Sequence, residues 1–372
     1  MKILQVINNI AWGGAGNLLI NYVPIMREMG HDVELLFLRK ADCPHIDYFS
    51  QNGIKVSWLS ENSLYNPLLI YKVRAFVKKG NFDIVHVHLF PALYHVGLAA
   101  YLGLGRSKLV YTEHSTNNKR RNKLFCFFDK IAYNKYDLII CITNLVQENI
   151  TSHLKGLCFK YKTILNGVNL QRFKSEVILQ RKDLYEGYMC SHKLIVMVAR
   201  MSEPKDHVTL LKAMALLPSD CHLLLLGEGE NKGMLKNTTL ELGIENRVHF
   251  LGVRNDVPDI LRLCDIGVLS SGFEGLPIAA IEIMAAGIPF VGSKVPGIQD
   301  LIEAEKDGAG VLYTHKNAED LASHIKKLLQ DKDYYETVCT AGRNRAMNYS
   351  IEKMTEQYIY AYQELMGNDK QR

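Results

Sequence analysis

Residues 272–287 read Gly-Phe-Glu-Gly-Leu-Pro-Ile-Ala-Ala-Ile-Glu-Ile-Met-Ala-Ala-Gly, a glycine-rich loop followed by an apolar segment. Pro277 suits the first position of a helix and Gly287 suits a left-handed cap, so the sequence predicts a helix from about Pro277 to Ala286. A helix start carries unpaired N–H groups and a partial positive charge, and Gly275 has no Cβ to obstruct a ligand. The loop before this helix is therefore predicted to bind an anion such as a phosphate.

Two acidic residues flank the predicted anion site. Glu274 lies in the loop, whereas Glu282 interrupts the apolar run of the helix. A lone carboxylate in such a helix is costly unless a basic side chain or ligand hydroxyls partner it, so the pair favours a phosphorylated sugar as ligand. Two structural alternatives remain open: the acids are solvated surface charges, or they form structural ion pairs.

The rest of the chain alternates short apolar runs with amphipathic stretches such as Pro67–Lys79. Runs that are apolar throughout indicate parallel sheets covered on both faces. In the first half, the predicted strands are Ile3–Ile7, Val33–Leu38, Ile54–Leu59, Asp83–Leu89, Leu109–Thr112 and Leu138–Thr143. In the second half, they are Leu194–Ala199, His222–Leu226, Val248–Leu251, Ile266–Ser270, Phe290–Gly292 and Val311–Tyr313. We therefore predict an α/β protein with two doubly wound sheets joined near Val168–Ser191.

Length and composition agree with two domains. The chain has 372 residues, and its eight cysteines show no spacing typical of a metal site, which favours a reducing compartment. Met-Lys-Ile-Leu-Gln-Val-Ile predicts a strand at once, so an export leader is not expected, and no apolar run approaches a membrane span. Residues 1–170 hold 20 basic and 11 acidic side chains, net +9, against a net charge of +5 for the chain. The basic half is predicted to face an anionic surface or substrate.

The polar residues after predicted strands are site candidates, because ligands of open α/β sheets bind there. Gly13-Gly14-Ala15-Gly16-Asn17 follows the first strand, but it lacks the Gly-x-Gly-x-x-Gly pattern and an acid at the second strand's end, which disfavours a nicotinamide dehydrogenase. His114 follows the fifth strand, either as a site residue or as a structural hydrogen-bonder. Arg200 and Lys205 follow the first strand of the second half, where two cations suit a diphosphate or surface ion pairs.

Taken together, these pieces resemble the retaining glycosyltransferases of the GT-B fold, glycosyltransferase family 4, over nearly the whole chain. The matching pieces, in order, are Gly13-Gly14-Ala15-Gly16, His114, Asn166-Gly167-Val168-Asn169 with Phe173, Arg200 with Lys205, Gly227-Glu228-Gly229, Phe250-Leu251-Gly252-Val253-Arg254, and Glu274 with Glu282. Any single piece is common, whereas the ordered set is specific. The resemblance implies an acceptor-binding domain over residues 1–170, a nucleotide-sugar-binding domain over 171–350, and a C-terminal helix, 351–372, that packs back on the first domain.

The resemblance also implies a role for each candidate residue. Arg200 and Lys205 would grip the donor diphosphate, Glu282 the ribose hydroxyls, Glu274 the sugar hydroxyls, and His114 the sugar near its reacting carbon. The catalytic candidates are His114, Arg200, Lys205 and Glu274. Further donor contacts are expected from Gly14, Gly227, Arg254, Gly275, Leu276, Pro277 and Ile278. Candidates on the acceptor side are Gly13, Gly16, Asn17, His88 and Asn166.

The expected reaction needs no metal and no other cofactor. Departure of the diphosphate builds negative charge, which Arg200 and Lys205 can neutralise. The literal metal-type motif Asp331-Lys332-Asp333 lies far from any predicted strand end and is interpreted as a helix start. Retention is carried over from the family, and front-face attack is favoured over double displacement because no carboxylate nucleophile is evident.

The acceptor is expected to be a saccharide or a lipid-linked saccharide used for surface polysaccharide or cell-envelope glycan synthesis, and the donor a UDP-sugar. Lys119–Lys135 is basic and aromatic, which is typical of a membrane-surface helix, although Leu124, Phe128 and Ile131 also fit a core-facing stripe. The protein is accordingly expected in the cytoplasm, at the inner face of the membrane if this helix binds lipid. No nucleic-acid module is evident.

Two rival functions use the same ligand. One is a GT-B nucleotide-sugar epimerase, which would convert the donor alone. The other is a non-catalytic sugar-nucleotide-binding partner of another transferase, and the catalytic candidates argue against it.

Overall fold

The structure of the protein, a computed structural model, describes residues 1–9, 14–40, 46–114, 123–155, 160–305 and 307–367. The chain forms two compact units. The first comprises Met1–Gly167 together with Ile351–Arg372, and the second comprises Val168–Ser350. The first unit thus ends three residues before the expected boundary at residue 170.

The described residues of the first unit form a seven-stranded parallel sheet in the order β3-β2-β1-β4-β5-β6-β7. Its strands are β1 (Lys2–Ile7), β2 (Asp32–Phe37), β3 (Lys55–Trp58), β4 (Ile84–His88), β5 (Lys108–Glu113), β6 (Leu138–Cys141) and β7 (Tyr161–Thr163). The central strands are buried along almost their whole length because helices cover both faces. The sequence did not predict β7, whose three residues are polar and only partly buried.

Six helices of the first unit precede residue 167 in the described ranges. They are α1 (Gly14–Glu28), α2 (Ile46–Gln51), α3 (Leu68–Gly80), α4 (Ala92–Tyr101), α5 (Lys123–Tyr133) and α6 (Asn144–His153). Close packing between α4 and α5 depends on Gly97, because a Cβ there would collide with the backbone of Ala132.

The second unit contains a six-stranded parallel sheet within the described residues, in the order β10-β9-β8-β11-β12-β13. Its strands are β8 (Lys193–Val198), β9 (Cys221–Leu226), β10 (Val248–Gly252), β11 (Ile266–Leu269), β12 (Phe290–Ser293) and β13 (Val311–Tyr313). The helices between and after them are α7 (His207–Ala215), α8 (Lys232–Glu241), α9 (Val257–Leu263), α10 (Ile278–Ala286), α11 (Pro296–Glu303), α12 (Ala318–Gln330) and α13 (Lys332–Met347). The predicted α/β class with two doubly wound sheets is confirmed.

The helix predicted from about Pro277 to Ala286 forms almost where its local signals predict. In α10, Pro277 is the N-cap, and Gly287 caps the C-terminus in the left-handed region with φ 81°. The helix lies close to its sheet because Gly267 of β11 leaves room for Ile283. The loop containing Glu274 is therefore placed at the carboxyl end of β11.

The last helix, α14 (Ile351–Gly367), belongs to the first unit. Its buried face joins the core formed by α1 and one side of the first sheet. Tyr358 meets Tyr22 of α1 edge-on at a ring-centroid distance of 5.3 Å. The expected helix over 351–372 is described as far as Gly367.

Candidate active site

Lys205 and Glu274 form a partly buried ion pair at the carboxyl ends of β8 and β11, which are neighbours in the second sheet. Lys205 Nζ donates to Glu274 Oε1 at 2.5 Å, and Ser271 Oγ donates to the same oxygen at 2.6 Å. The Glu274 side chain is 10% exposed and that of Lys205 is 26% exposed. A cation and a carboxylate selected from distant parts of the sequence are thus in direct contact beside the start of α10.

The turn that carries Lys205 is anchored by the segment after β11. The N–H of Gly272 donates to the carbonyl oxygen of Pro204 at 2.7 Å. Ser270 Oγ donates to the carbonyl oxygen of Asp206 at 2.9 Å and to that of Lys205 at 3.2 Å. These bonds hold the backbone on both sides of the lysine, so the position of its ammonium group is set by the end of β11.

Arg200 pairs with a different acid. Its Nη2 lies 3.3 Å from Oε2 of Glu230, and the two side chains are 72% and 62% exposed. Within the described residues, Arg200 and Lys205 have separate partners, so their convergence on one diphosphate stays a prediction. An exposed ion pair contributes only about 0–1 kcal/mol, so the Arg200 side chain can change partner at little cost when a ligand binds.

Gly227 and Gly229 follow β9 and pack against the backbone that follows β8. A Cβ at Gly227 would collide with the carbonyl oxygen of Ala199, and a Cβ at Gly229 would collide with that of Met201. Gly227 also has a φ of 132°, which favours glycine. Packing alone therefore requires both glycines, and a donor contact at Gly227 stays a prediction.

Arg254 is held by an acid in its own loop. Its Nε lies 2.8 Å from Oδ1 of Asp256, and its Nη2 lies 2.5 Å from Oδ2. This bidentate geometry fixes the plane of the guanidinium group. The N–H of Gly227 donates to the carbonyl oxygen of Gly252 at 2.8 Å, so the loops after β9 and β10 adjoin where the base was expected.

Glu282 is a partly buried carboxylate that forms no hydrogen bond or ion pair with any described residue. Its neighbours Ile281 and Ile283 are fully buried. Burial raises the pKa of Glu282, and the positive charge of Arg172, in the turn Leu170–Phe173, opposes that rise without forming an ion pair. The carboxylate oxygens therefore remain available to accept hydrogen bonds from hydroxyls of a ligand. Glu282 therefore has no structural ion pair within the described part of the chain, and its contact with a ligand stays a prediction.

The loop that leads into α10 offers backbone donors. In the described part of the chain, the N–H groups of Gly275 and Leu276 have no acceptor. A Cβ at Gly297, in the first turn of α11, would collide with the carbonyl oxygens of Glu274 and Gly275. Gly297 thus supports the loop from behind. Gly297 was not predicted as a site residue, although Pro296-Gly297 shortly after a strand is a recognisable helix-start signal.

His114 lies directly after β5 in the first unit and is partly buried. Burial lowers its pKa to about 4, so the imidazole is neutral at physiological pH. His114 Nε2 lies 3.1 Å from Nδ1 of His88. One ring nitrogen of His114 is thus engaged within the protein, as the structural alternative expects. Nδ1 has no described partner, and a contact with the sugar stays a prediction.

The assignment of His88 to the acceptor side is wrong. His88 is 1% exposed, and both of its ring nitrogens contact protein side chains, so it cannot touch an acceptor directly. Among the other candidates, Asn17 is exposed on the first turn of α1, whereas Asn166 has a buried Oδ1 with no described partner.

Two of the remaining candidate glycines lie at the start of α1. Gly14 is the first residue of that helix, and Gly16 is buried two residues later. Gly13 lies outside the described residues.

No group of three or more histidine, cysteine or acidic side chains in the described ranges is arranged to hold a metal ion. Asp331 caps α13 by accepting a hydrogen bond from the N–H of Tyr334 at 3.0 Å, as expected for a helix start. None of the described helices combines the length and the apolar character that crossing a bilayer demands.

Two family models match the chain. The model described as Glycosyl transferases group 1 matches residues 191–345, and the model described as Glycosyltransferase Family 4 matches residues 12–172. The first match contains Lys205, Glu274 and Glu282, and the second contains His114. Together the two matches span most of both structural units.

The chain also resembles curated proteins by sequence and solved structures by fold. The N-acetyl-alpha-D-glucosaminyl L-malate synthase of Bacillus anthracis is 25% identical over 96% of either chain. The UDP-Gal:alpha-D-GlcNAc-diphosphoundecaprenol alpha-1,3-galactosyltransferase of Escherichia coli is 28% identical over 80% of this chain and 79% of its own. The crystal structure of Anabaena HepE in complex with UDP superposes with a TM-score of 0.80 at 22% identity, covering 98% of this chain and 100% of that one. With its two doubly wound units and the ordered motifs that they carry, the chain belongs to the family 4 glycosyltransferases of the GT-B fold and is a hexosyltransferase.

Proposed function

We propose that the protein transfers a hexose or N-acetylhexosamine from a nucleotide diphosphate sugar to a saccharide or lipid-linked saccharide, with retention of anomeric configuration and without a metal. The observation that carries this proposal is the contact between Lys205 and Glu274 at the start of α10. It places a cation for the leaving diphosphate next to a carboxylate for sugar hydroxyls. A nucleotide sugar is the ligand that needs both groups side by side.

The donor is held in three parts. The free N–H groups of Gly275 and Leu276 and the ammonium of Lys205 bind the diphosphate, as a helix N-terminus commonly does. Glu282, with no protein partner, accepts hydrogen bonds from the ribose hydroxyls, and Glu274 accepts them from the sugar. UDP is the favoured nucleotide because the E. coli relative is named for UDP-Gal and the Anabaena structure contains UDP.

The chemistry depends on stabilising the leaving group. As the anomeric bond breaks, negative charge grows on the diphosphate and positive charge on the sugar. A cation about 4 Å from that charge, at an effective dielectric of about 20, gains roughly 4 kcal/mol of Coulomb attraction before desolvation. Lys205 supplies this attraction, Arg200 adds to it after leaving Glu230, and these charges take the place of a metal ion.

Retention follows from attack on the face that the diphosphate leaves. A leaving phosphate oxygen takes the proton of the acceptor hydroxyl as that hydroxyl bonds to the anomeric carbon. Glu274 does not act as a nucleophile in this scheme, and its Oε1 accepts hydrogen bonds from Lys205 and Ser271. His114 accepts a hydrogen bond from a sugar hydroxyl near the reacting carbon.

The acceptor is proposed to lie at the inner face of a membrane, in the assembly of a surface polysaccharide or cell-envelope glycan. Phe127 and Phe128 of α5 are 64% and 49% exposed, so Phe128 does not belong to the core stripe that the sequence allowed. They lie beside Lys130 in the basic half of the chain, an arrangement suited to an anionic leaflet. Residues 119–122 of the Lys119–Lys135 segment lie outside the described residues. The E. coli relative is named for a diphosphoundecaprenol-linked acceptor.

One assay tests the proposal. The full chain is incubated with a panel of UDP-sugars, a polyprenyl-diphosphate-linked GlcNAc and EDTA, and the products are followed by mass spectrometry and NMR. We expect release of UDP together with a new glycoside whose anomeric configuration matches that of the donor. An inverted product, or activity that disappears with EDTA and returns with a divalent cation, would contradict the mechanism. An epimer formed from donor alone would favour the epimerase.

A further inference from the structure

A line of buried polar side chains runs behind His114 in the first unit. His88 Nδ1 lies 3.1 Å from His114 Nε2, and His88 Nε2 lies 2.9 Å from Gln5 Oε1. Gln5 and His88 come from the adjacent strands β1 and β4 and are 0% and 1% exposed. A polar group this deeply buried destabilises the folded protein unless it is hydrogen-bonded. Every donor in the line therefore needs an acceptor, which constrains the direction of each hydrogen bond.

The orientation of the Gln5 amide is set by its other neighbours. Gln5 Nε2 lies 3.8 Å from Met26 Sδ and 3.5 Å from the Tyr362 hydroxyl oxygen. A thioether sulfur has no proton to give, so it is the NH₂ group of the amide that faces Met26. On the oxygen side, the Tyr22 hydroxyl donates to Gln5 Oε1 at 3.0 Å. The carbonyl oxygen of Gln5 is therefore the atom presented to His88.

This orientation determines which nitrogen of His88 carries the proton. The Tyr22 hydroxyl also lies 3.1 Å from Nε2 of His88, but its proton is directed to Gln5 Oε1, so the hydroxyl oxygen faces Nε2 as an acceptor. Gln5 Oε1 can only accept, so Nε2 of His88 donates. Burial lowers the pKa of His88 well below its ordinary value, which leaves a neutral ring with a single N–H. Nδ1 of His88 is consequently a lone-pair acceptor, and the hydrogen bond from His114 Nε2 must carry the proton of His114.

We propose that Gln5 and His88 are positioning residues that hold His114 as the Nε2–H tautomer, so that its Nδ1 accepts a hydrogen bond from a hydroxyl of the transferred sugar. The tautomer is a property of the first unit alone, whereas the sugar contact rests on the proposed function. Nδ1 has no partner among the described residues. A neutral, accepting nitrogen also suits a sugar that gains positive charge in the transition state, since an imidazolium would repel it.

The tautomer can be measured without any ligand. Full-length protein labelled with ¹⁵N-histidine gives two-bond proton–nitrogen spectra that distinguish protonated from unprotonated ring nitrogens, and His114→Gln identifies the signals of His114. We expect a proton on Nε2 and none on Nδ1 in the wild type, and a changed tautomer population in Gln5→Met. His95→Gln is the control, because His95 is a buried histidine of α4 that bonds to the Leu64 carbonyl oxygen instead. A proton on Nδ1 in the wild type, or a Gln5→Met spectrum identical to it, would overturn the proposal.

Kinetics then separate positioning from mere structural support. His88→Asn places a carbonyl oxygen near the position of Nδ1 and can still accept from His114, whereas His88→Leu cannot. We expect His88→Leu and Gln5→Met to lower kcat/KM for the donor about tenfold and His88→Asn to stay within about threefold of the wild type, the size expected for one hydrogen bond. Affinity for UDP alone, which lacks the transferred sugar, should be unchanged in all three. An equal loss of UDP affinity would show a structural role and overturn the proposal. A wild type that carries the expected tautomer but transfers no sugar would refute the proposed function instead.

Discussion

Lys205 Nζ and Glu274 Oε1 are joined by a hydrogen bond of 2.5 Å although the two residues are 69 positions apart in the chain. The contact depends on the parallel pairing of β8 with β11, which brings two strand ends to the same edge of the sheet. It places the Lys205 ammonium beside the loop that leads into α10. Lys205 can therefore be tested against a control lysine elsewhere in the same unit.

Replacing Lys205 with methionine should remove the principal cation of the leaving-group site. We expect Lys205→Met to lower kcat/KM by about a hundredfold to a thousandfold, as loss of a preorganised transition-state contact commonly does. Lys212→Met, an exposed lysine on α7, should leave activity unchanged. The measurement is initial rate against donor concentration. Near-normal activity of Lys205→Met would place the diphosphate elsewhere.

Replacing Glu282 with glutamine should make the free protein more stable and donor binding weaker. The substitution removes a buried charge, so we expect a Tm higher by about 2–4 °C, equivalent to about 1 kcal/mol. Loss of a charged acceptor for the ribose hydroxyls should weaken UDP binding about tenfold or more. Thermal unfolding and calorimetric titration measure the two effects, with the exposed Glu241→Gln as control. A variant that binds UDP normally would exclude Glu282 from the ribose site.

The same carboxylate should make donor affinity depend on pH. Burial raises the pKa of Glu282 in the folded state above its unfolded value, so the folded protein takes up this proton first as the pH falls. The cost of the buried charge is therefore present at neutral pH and is relieved as the pH falls through the folded pKa. UDP binding needs the carboxylate, so affinity should fall over that same range, and the Glu282→Gln variant should lose this component. An unchanged pH profile in the variant would contradict the prediction.

A methyl group at Gly297 should damage the site without touching the ligand. Its Cβ would collide with the carbonyl oxygens of Glu274 and Gly275, so Gly297→Ala should displace the loop and reduce kcat/KM by at least about tenfold, as small misplacements of catalytic groups do. Gly233→Ala is the matched control, because nothing lies within 4 Å of a Cβ there. That change, inside α8, should preserve activity and raise stability by about 0.4–1 kcal/mol. Equal activity of the two variants would show that α11 does not support the loop.

Removing the exposed aromatic pair of α5 should weaken membrane binding. We expect the double variant Phe127→Ser and Phe128→Ser to bind anionic phosphatidylglycerol vesicles at least about tenfold more weakly, since burying one such side chain contributes about 1.5–3 kcal/mol. Leu240→Ser is the control, a 63% exposed residue of α8. Sedimentation with vesicles at low and high salt measures the effect. Equal binding of wild type and double variant would remove α5 from the proposed membrane contact.

The sequence predicted those parts of the fold that depend on local signals. Pro277 and Gly287 bracket α10, and runs that are apolar throughout identify the central strands, because sheets covered on both faces exclude polar positions there. The strand β7 was missed because its residues Tyr161–Thr163 are polar and lie at the sheet edge, where this pattern fails.

The site was less predictable, because its contacts are formed between distant segments. Glu282 could be recognised from its apolar surroundings, but the partners of Arg200 and Lys205 could not be read from spacing. His88 was misassigned because a strand end can present a side chain to solvent or to the interior, and only the position of Gln5 on β1 shows that it faces inward. The importance of Gly297 depends on the approach of α11 to a loop more than twenty residues earlier, which no local pattern reveals.

In the sequence, the second unit lies between the two segments that form the first unit. This order has a consequence for biosynthesis. The described strands and helices of the second unit leave the ribosome before α14 does. In the folded unit its two ends are joined, since Val168 N–H donates to the Tyr349 carbonyl oxygen at 2.8 Å. The first unit, although it starts the chain, still lacks α14, whose Tyr358 and Tyr362 fill its core. Domains commonly mature in the order of their synthesis. Here the second unit can complete its fold first, because the first unit cannot complete its core until α14 has been made.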